Sequence, residues 1–447
     1  MNQAMNQALR VSSLSIVSCL SIWLGVSALP VSPCLAQVNG LGPSPSSLFG
    51  TVLNLPGDEA VITGAPLQSV GGMPGQTTQL NVLSGGSVGV FFDALSGSEV
   101  NISGGVVGVD FDAFSGSEVN ITSGVVLGDF DANSGSVVNI SGGLVFDGFD
   151  TFNGSIVNIS GGEVGELFQA RGVVNISGGI VGGGVVSSPP NALNGSEVNI
   201  SGGFVGVGLS AFAGSVVNIS GGEVSNFFDA RPGSVVNISG GTVGDSFDAF
   251  DGSVVNISGG EVGQLFDAGF GSVVNISGGT VGDSFDAFDG SVVNISGGVV
   301  GSLAGQALQM PAINAFDGSE VNILGSEFQI DGLELDTLLP GETFTITDRN
   351  VVLSGLLADG EQFSFTLLSI ELPEFDFFAP GATLTVTSTA TVLFGDVNLD
   401  GVVDFFDIAP FITLLSDGGT QAEADINLSG EVTFLDIAPF IALLTGQ

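Results

Sequence analysis

Hydrophobic and polar residues alternate along most of this chain in short stretches that recur about every 19 residues. The repeat reads G-S-x-V-N-I-S-G-G-x-V-G-x-x-F-D-A-F-x. In the copy around Asn256, Val255 and Ile257 are expected on one face of a strand, with Val254 and Ser258 on the other. Alternation with a period of two predicts strands, and the frequent glycines predict turns between them. Each copy therefore predicts two or three very short strands.

Thirteen copies can be recognised by the asparagine of this repeat. They lie at Asn81, Asn101, Asn120, Asn139, Asn158, Asn175, Asn199, Asn218, Asn237, Asn256, Asn275, Asn294 and Asn322. A unit of this size cannot bury its apolar face alone, whereas stacked copies build a continuous core. Residues 80–325 therefore predict a parallel β-helix, a β-solenoid in which equivalent phenylalanines and asparagines form rows along the axis.

Aspartates form another predicted row, on the outer face of the repeats. Asp229, Asp248, Asp267 and Asp286 occupy equivalent positions in successive copies. Strands in a sheet lie about 4.8 Å apart, so these like charges are expected close together along one edge. Two interpretations stay open: solvated carboxylates that keep the rod soluble, or a row that binds Ca²⁺ weakly.

The segments that flank the repeats do not follow the 19-residue period. Residues 326–394 alternate differently, as in TFTITDRNVVLSGLL and ATLTVTSTATVLF, and we expect a β-rich C-terminal cap there. Such a cap would protect the open edge of the solenoid. A small independent β-domain is the alternative. Residues 37–79 are expected to cap the other end.

The first 36 residues are typical of a secretory signal peptide. Arg10 precedes a mostly apolar run from Val11 to Leu29, and the small residues Cys34 and Ala36 precede an expected cleavage site. This pattern predicts a protein that is secreted or held at the cell surface, with no transmembrane span after cleavage. An uncleaved membrane anchor is the alternative interpretation.

Residues 395–447 contain two copies of a calcium-ligand spacing. The loops place oxygen-bearing side chains at positions 1, 3, 5, 9 and 12, glycine at position 6, and a backbone carbonyl at position 7. The first loop supplies Asp396, Asn398, Asp400, the carbonyl of Val402, Asp404 and Asp407. The second supplies Asp425, Asn427, Ser429, the carbonyl of Glu431, Thr433 and Asp436. Together they predict two Ca²⁺ sites, and the second has one charge fewer because Ser429 occupies position 5.

An apolar segment follows each loop, FFDIAPFITLL in the first and FLDIAPFIALL in the second. Apolar residues recur at helical spacing, which predicts two amphipathic helices with Pro410 and Pro439 in their first turns, where the missing N–H costs little. The predicted apolar faces consist of Ile408, Phe411, Ile412 and Leu415 in one helix and Ile437, Phe440, Ile441 and Leu444 in the other.

This tandem of loop and helix resembles the type I dockerin. The stretches GDVNLDGVVDFFD and ADINLSGEVTFLD match the dockerin motif closely, including aspartate at position 12. The resemblance implies that the module binds two Ca²⁺ ions and docks a cohesin-like module on a partner protein. It departs from the family at loop positions 10 and 11, which help to select the cohesin. These are Phe405 and Phe406 in one loop and Phe434 and Leu435 in the other.

Composition limits the possible functions. The chain has 46 acidic residues, four arginines, no histidine and no tyrosine, for a net charge of −42. Such a chain repels nucleic acid and offers few groups for acid–base catalysis. Both cysteines, Cys19 and Cys34, belong to the expected signal peptide.

Taken together, the patterns predict an all-β parallel β-helix with a small C-terminal α-helical calcium-binding domain. The expected function is non-catalytic, a solenoid attached to a cohesin-like partner, with polysaccharide or cell-surface matrix as a further expected contact. Two alternatives stay open: a polysaccharide-degrading β-helix enzyme that carries a dockerin, and a calcium module that serves as an internal staple, with Phe405 and Phe434 packed on the cap.

Overall fold

The computed structural model describes twelve ranges of the chain. They are residues 52–55, 69–70, 78–182, 191–192, 195–301, 311–335, 338, 341–370, 376–389, 393–398, 402–419 and 421–445. The expected signal peptide, most of the expected N-terminal cap and Asp400 lie outside these ranges.

The described repeats form a parallel β-solenoid, as the 19-residue period predicts. Long strands stack into one face: Thr78–Val82, Ser98–Val107, Glu118–Val126, Val137–Val145, Ile156–Val164, Val173–Val181, Glu197–Val205, Val216–Val224, Val235–Val243, Val254–Val262, Val273–Val281, Val292–Val300 and Glu320–Ile330. Each of these strands contains one of the thirteen repeat asparagines, and these asparagines pair with one another in register.

Short strands stack into the second face of the solenoid. They are Ser69–Val70, Phe92–Ala94, Phe111–Ala113, Phe130–Ala132, Phe149–Thr151, Gln169–Ala170, Asn191–Ala192, Ser210–Ala211, Asp229–Ala230, Asp248–Ala249, Asp267–Ala268, Phe285–Ala287, Ile313–Ala315 and Phe377–Phe378. Every described pairing within this face is parallel. Asp229, Asp248, Asp267 and Asp286 pair with one another in register, so the predicted aspartate row is present on this face.

The core of the solenoid consists of rows of equivalent apolar side chains. Val255, Ile257, Val262, Phe266 and Ala268 are buried, whereas Val254 is half-buried and Ser258 is exposed, as the alternation predicts. The rings of the inner phenylalanines stack at 4.7–4.9 Å between centroids along the row Phe228, Phe247, Phe266 and Phe285. This aromatic row aligns the coils and excludes water from the interior.

Asparagine side chains form a second row, on the outer face of the long strands. The Nδ2 of Asn256 donates to the Oδ1 of Asn237 at 2.8 Å, and Asn275 donates to Asn256 at the same distance. Next to this ladder most of the long strands have a corner with a register shift at a pair of glycines. A Cβ on Gly259 would lie 2.5 Å from the carbonyl oxygen of Ser239, and Gly260 has φ +82°, so this corner requires glycine.

A β-rich segment follows the last repeat. Its strands are Leu333–Glu334, Thr343–Thr345, Val351–Leu357, Gln362–Leu367 and Thr383–Ser388, while Val52–Leu55 and Ser87–Val88 lie at the other end of the repeats. Thr383–Ser388 continues the parallel face by pairing with Glu320–Ile330, whereas Val351–Leu357 pairs with that same strand in the antiparallel direction. Thr343–Thr345 pairs with Thr383–Ser388 in the antiparallel direction, which ends the parallel stacking on this face.

Two short helices complete the described chain: α1, Ile408–Asp417, and α2, Ile437–Thr445, with a 3₁₀ turn at Phe405–Asp407 before α1. Pro410 and Pro439 lie in their first turns, as predicted. No helix in the described ranges is long and apolar enough to span a bilayer. The helices share a hydrophobic core of their own, separate from that of the solenoid.

Candidate metal centre

The first loop is organised around the carboxylate of Asp407, at position 12. This carboxylate is fully buried and accepts hydrogen bonds from the backbone N–H groups of Asn398 at 2.9 Å and Asp404 at 2.8 Å. The side chain of Asp404 in turn accepts from the N–H of Phe406 at 2.7 Å, so positions 9 and 12 form a capping box for the 3₁₀ turn. Asp396, at position 1, is also buried.

The second loop repeats this arrangement. Asp436 is fully buried and accepts from the backbone N–H groups of Asn427 and Thr433, both at 2.9 Å. At the other end of the loop, the hydroxyl of Ser429 lies 3.3 Å from the Oδ1 of Asp425 and 3.0 Å from the carbonyl oxygen of Glu431. The oxygens of positions 1 and 7 therefore both lie within hydrogen-bond distance of the hydroxyl at position 5.

The helices hold the two loops side by side. The rings of Phe411 and Phe440 stack with 4.1 Å between centroids, and both are buried. Ile412 and Ile441, which belong to the predicted apolar faces, are 57% and 52% exposed. The helices are only 10 and 9 residues long, and the core described between them buries Phe411 and Phe440 but leaves the isoleucine after each one exposed.

The loop residues fit a hard cation by their chemistry. Asp407 and Asp436 are fully buried, and in the described part of the chain they accept hydrogen bonds from backbone and hydroxyl donors rather than from basic side chains. An uncompensated buried carboxylate is costly, and oxygen-rich loops are the usual environment of Ca²⁺. Within the described ranges no three histidine, cysteine or acidic side chains cluster as a metal site. Two of the five expected side-chain ligands in the second loop are neutral hydroxyls, and a third is an amide.

The residues at loop positions 10 and 11 form a pair of exposed apolar patches. Phe405 and Phe406 are 79% and 73% exposed, and Phe434 and Leu435 are 80% and 75% exposed. Each patch lies two residues or fewer from the fully buried aspartate of its loop, so the fold of the loop positions the patch. We call these four side chains the loop-tip residues.

The aspartate row on the solenoid is a second cluster of acidic groups. Burial, together with the Asp286 and Asp248 carboxylates, raises the pKa of Asp267 to about 7. Burial and neighbouring aspartates raise the pKa of Asp131 to about 6. Asp267, and Asp131 in an earlier coil, are therefore more easily protonated than ordinary aspartates.

The three described arginines are engaged by the protein itself. Arg171 pairs with Asp150 at 3.3 Å and lies over the ring of Phe152. Arg231 pairs with Asp229 in the same way and lies over Phe250. Arg349 donates to backbone carbonyls in the β-rich segment.

A cavity in the β-rich segment was missed by the sequence reasoning. It occupies about 380 Å³ and is lined by residues of Glu320–Ile330, Val351–Leu357 and Gln362–Leu367. The sequence carries no signal for it, because its polar residues are ordinary strand residues until antiparallel pairing brings them together.

Comparison with known proteins gives one distant likeness. The sequence matches no protein-family model, and no curated protein matches it. Among solved structures the chain is similar to a TibC-catalysed hyper-glycosylated fragment of TibA, residues 55–350. The identity is 15%, the match covers 62% of this chain and 89% of that fragment, and the TM-score is 0.30. A likeness this distant carries no argument about function.

Proposed function

We propose that this protein is an exported, non-catalytic β-solenoid that attaches to a partner protein through a calcium-dependent, dockerin-like module at residues 395–447. The exposure of the loop-tip residues is the observation that carries the proposal. Contiguous apolar side chains on a protein surface are typical of sites that another protein covers. Here they occur twice, at equivalent positions in the two loops.

Calcium would be held by the side chains of the predicted ligand positions and by the carbonyls of Val402 and Glu431. Bound Ca²⁺ supplies positive charge to the buried carboxylates. The chain's own residues do the rest: Asp407 and Asp436 anchor the backbone N–H groups of both loops, and stacked Phe411 and Phe440 hold the helices together. The loop-tip residues are thereby presented on an ordered support.

The partner is proposed to be a cohesin-like module with an apolar face. Phenylalanine and leucine at the loop tips favour recognition by burial of apolar surface rather than by hydrogen bonds. The alternative of an internal staple requires Phe405 and Phe434 to pack on the protein's own cap. Their exposure of 79% and 80% speaks against that alternative.

Absence of catalysis is part of the proposal. The described arginines are paired or bonded to carbonyls, so they are not free to bind an anionic sugar. The strongest opposing observation is the raised pKa of Asp267, since a carboxyl with a raised pKa can act as a general acid. Release of reducing ends from plant or algal polysaccharides, abolished in Asp267→Asn, would establish the enzyme alternative.

The docking proposal is tested by binding of the full chain to purified cohesin modules, with and without EDTA. We expect binding in Ca²⁺, release in EDTA, and a loss of at least ten-fold in affinity for the Phe405→Ser/Phe434→Ser double variant. Phe270→Ser is the matched control, because Phe270 is an exposed phenylalanine on the solenoid.

Two outcomes would contradict the docking proposal. One is equal binding of the double variant and the Phe270→Ser control. The other is no calcium-dependent binding, either to the cohesin panel or to proteins from the medium of the producing cells.

A further inference from the structure

The β-rich segment contains a polar groove on the outer face of three antiparallel strands. Gln329, Ser354 and Ser364 lie side by side across these strands, since Gln329 pairs with Ser354 and Ser354 pairs with Ser364. Glu327 and Gln362 line the same groove, whose volume is about 380 Å³. The groove is therefore built by pairing of the strands and not by a loop.

A β-bulge directs Glu327 toward this groove. Ser326 pairs with Leu356 and Gln329 with Ser354, so one strand advances three residues while its partner advances two. Glu327 lies within the bulge at φ +53°, a left-handed conformation that a glutamate rarely adopts. Bulges re-aim side chains and are enriched beside binding sites.

The five polar side chains of the groove are not used by the protein itself. Within the described part of the chain, the side chains of Glu327, Gln329, Ser354, Gln362 and Ser364 form no hydrogen bond. Acidic side chains elsewhere in this segment behave differently: Asp331 accepts from the N–H of Val352 at 2.9 Å, and Asp359 accepts from Gly298 at 2.6 Å. The groove thus concentrates hydrogen-bonding capacity that remains open to a ligand.

We propose that this groove binds a neutral saccharide. Two carboxamides and two hydroxyls both donate and accept hydrogen bonds, as sugar hydroxyls do, and the Glu327 carboxylate accepts strongly. Leu356, which is half-buried beside the groove, adds apolar contact for the carbon face of a sugar ring. None of the described residues that line the groove is basic, and Glu327 gives it a negative charge, which disfavours acidic sugars.

This site is independent of the docking module. It lies between Glu327 and Ser364, whereas the calcium loops begin at Asp396. A solenoid fixed at its C-terminal module could hold a glycan at the groove, but saccharide binding requires neither calcium nor a partner protein. Failure of one proposal leaves the other standing.

The test is calorimetric titration of the full chain, in EDTA, with cellohexaose, mannohexaose and xylohexaose, and with oligogalacturonate as the anionic comparison. We expect at least one neutral probe to bind and the anionic probe not to bind. Gln329→Ala should weaken binding by about ten-fold, because it removes a hydrogen bond made to the ligand. Glu327→Gln should weaken binding by a similar factor, because a neutral amide replaces the charged acceptor.

Glu334→Gln and Gln264→Ala are the matched controls, since Glu334 is exposed on a neighbouring strand and Gln264 lies on the solenoid. Both should bind as the unaltered chain does. Ser364→Ala, at an exposed position, provides a third groove variant that is expected to fold normally. The proposal is overturned if no neutral probe binds, if folded groove variants bind like the controls, or if only the anionic probe binds.

Discussion

Arg349 donates hydrogen bonds to five backbone carbonyl oxygens. Its guanidinium reaches Phe378, Ile346, Asp348 and Ala382 at 3.0–3.1 Å, and Ala379 at 3.5 Å. These carbonyls belong to different parts of the β-rich segment, so one side chain joins them. Only arginine offers five N–H donors in a planar arrangement, whereas lysine offers three on one atom.

We therefore expect Arg349→Lys to lower the free energy of unfolding by about 2 kcal/mol. The measurement is urea unfolding of the full chain in EDTA, followed by circular dichroism of the β-sheet signal. Arg231→Lys is the control, because Arg231 is partly exposed and a surface ion pair contributes less than about 1 kcal/mol. Equal losses in the two variants would contradict the role of the five carbonyls.

Burial of single residues was predictable from the sequence wherever the period was strict. Val255 and Ile257 are buried and Ser258 is exposed because alternation leaves each residue only one face of a strand. The exposure of Ile412 and Ile441 was not predictable in this way. Helical spacing shows which residues share a face, but the width of the buried strip depends on what the helix packs against, and the core described around these helices is small.

At the scale of elements, the short parallel strands place like charges in neighbouring coils. Asp267 pairs in register with Asp248 and Asp286, and its pKa is raised to about 7 from an ordinary value of 3.8. A raised pKa in the folded state means that ionisation disfavours folding. The penalty is absent below about pH 4, develops as the pH rises, and is complete above about pH 7.

The thermal midpoint of the solenoid should therefore fall as the pH rises from about 4 to 8. Asp267→Asn should raise the midpoint at pH 8 and leave it unchanged at pH 4, because asparagine does not ionise. Glu261→Gln changes the net charge equally at an exposed position of the same coil and serves as the control. The idea fails if both variants shift the midpoint at pH 8 by the same amount.

Elements of the solenoid were more predictable than those of the β-rich segment for a physical reason. In the solenoid each strand pairs with the equivalent strand one repeat away, so the period alone defines the register. In the β-rich segment, Val351–Leu357 pairs with two different strands, one of them interrupted by the bulge at Glu327. No local pattern specifies those partners, so the groove they form could not be foreseen.

At the scale of the whole molecule, two hydrophobic cores of very different size share one chain. The solenoid and the β-rich segment share an extended core of stacked rows. Among the described residues of the helical module, the buried apolar side chains are Val397, Phe411, Ala424, Val432 and Phe440. A core this small stabilises a module weakly, and small modules of this kind usually depend on bound metal. The solenoid core has no such requirement.

Heating should therefore reveal two transitions in the described parts of the chain. We expect the helical module to unfold in the lower transition, whose midpoint rises with Ca²⁺ and which is lost in EDTA. The solenoid should unfold in the higher transition, whose midpoint is the same in Ca²⁺ and in EDTA. Differential scanning calorimetry in Ca²⁺ and in EDTA measures both, and Asp407→Asn/Asp436→Asn should lower the first transition alone, because these two carboxylates anchor both loops.

Equilibrium dialysis of the same samples distinguishes the two acidic regions. Binding at the loops alone gives about two Ca²⁺ ions per chain, in keeping with one ion in each loop of this type. A number well above two that persists in Asp407→Asn/Asp436→Asn would place calcium on the aspartate row of the solenoid. In that case the upper transition would also rise with Ca²⁺, and the division of the molecule into a calcium-dependent module and a calcium-independent rod would be wrong.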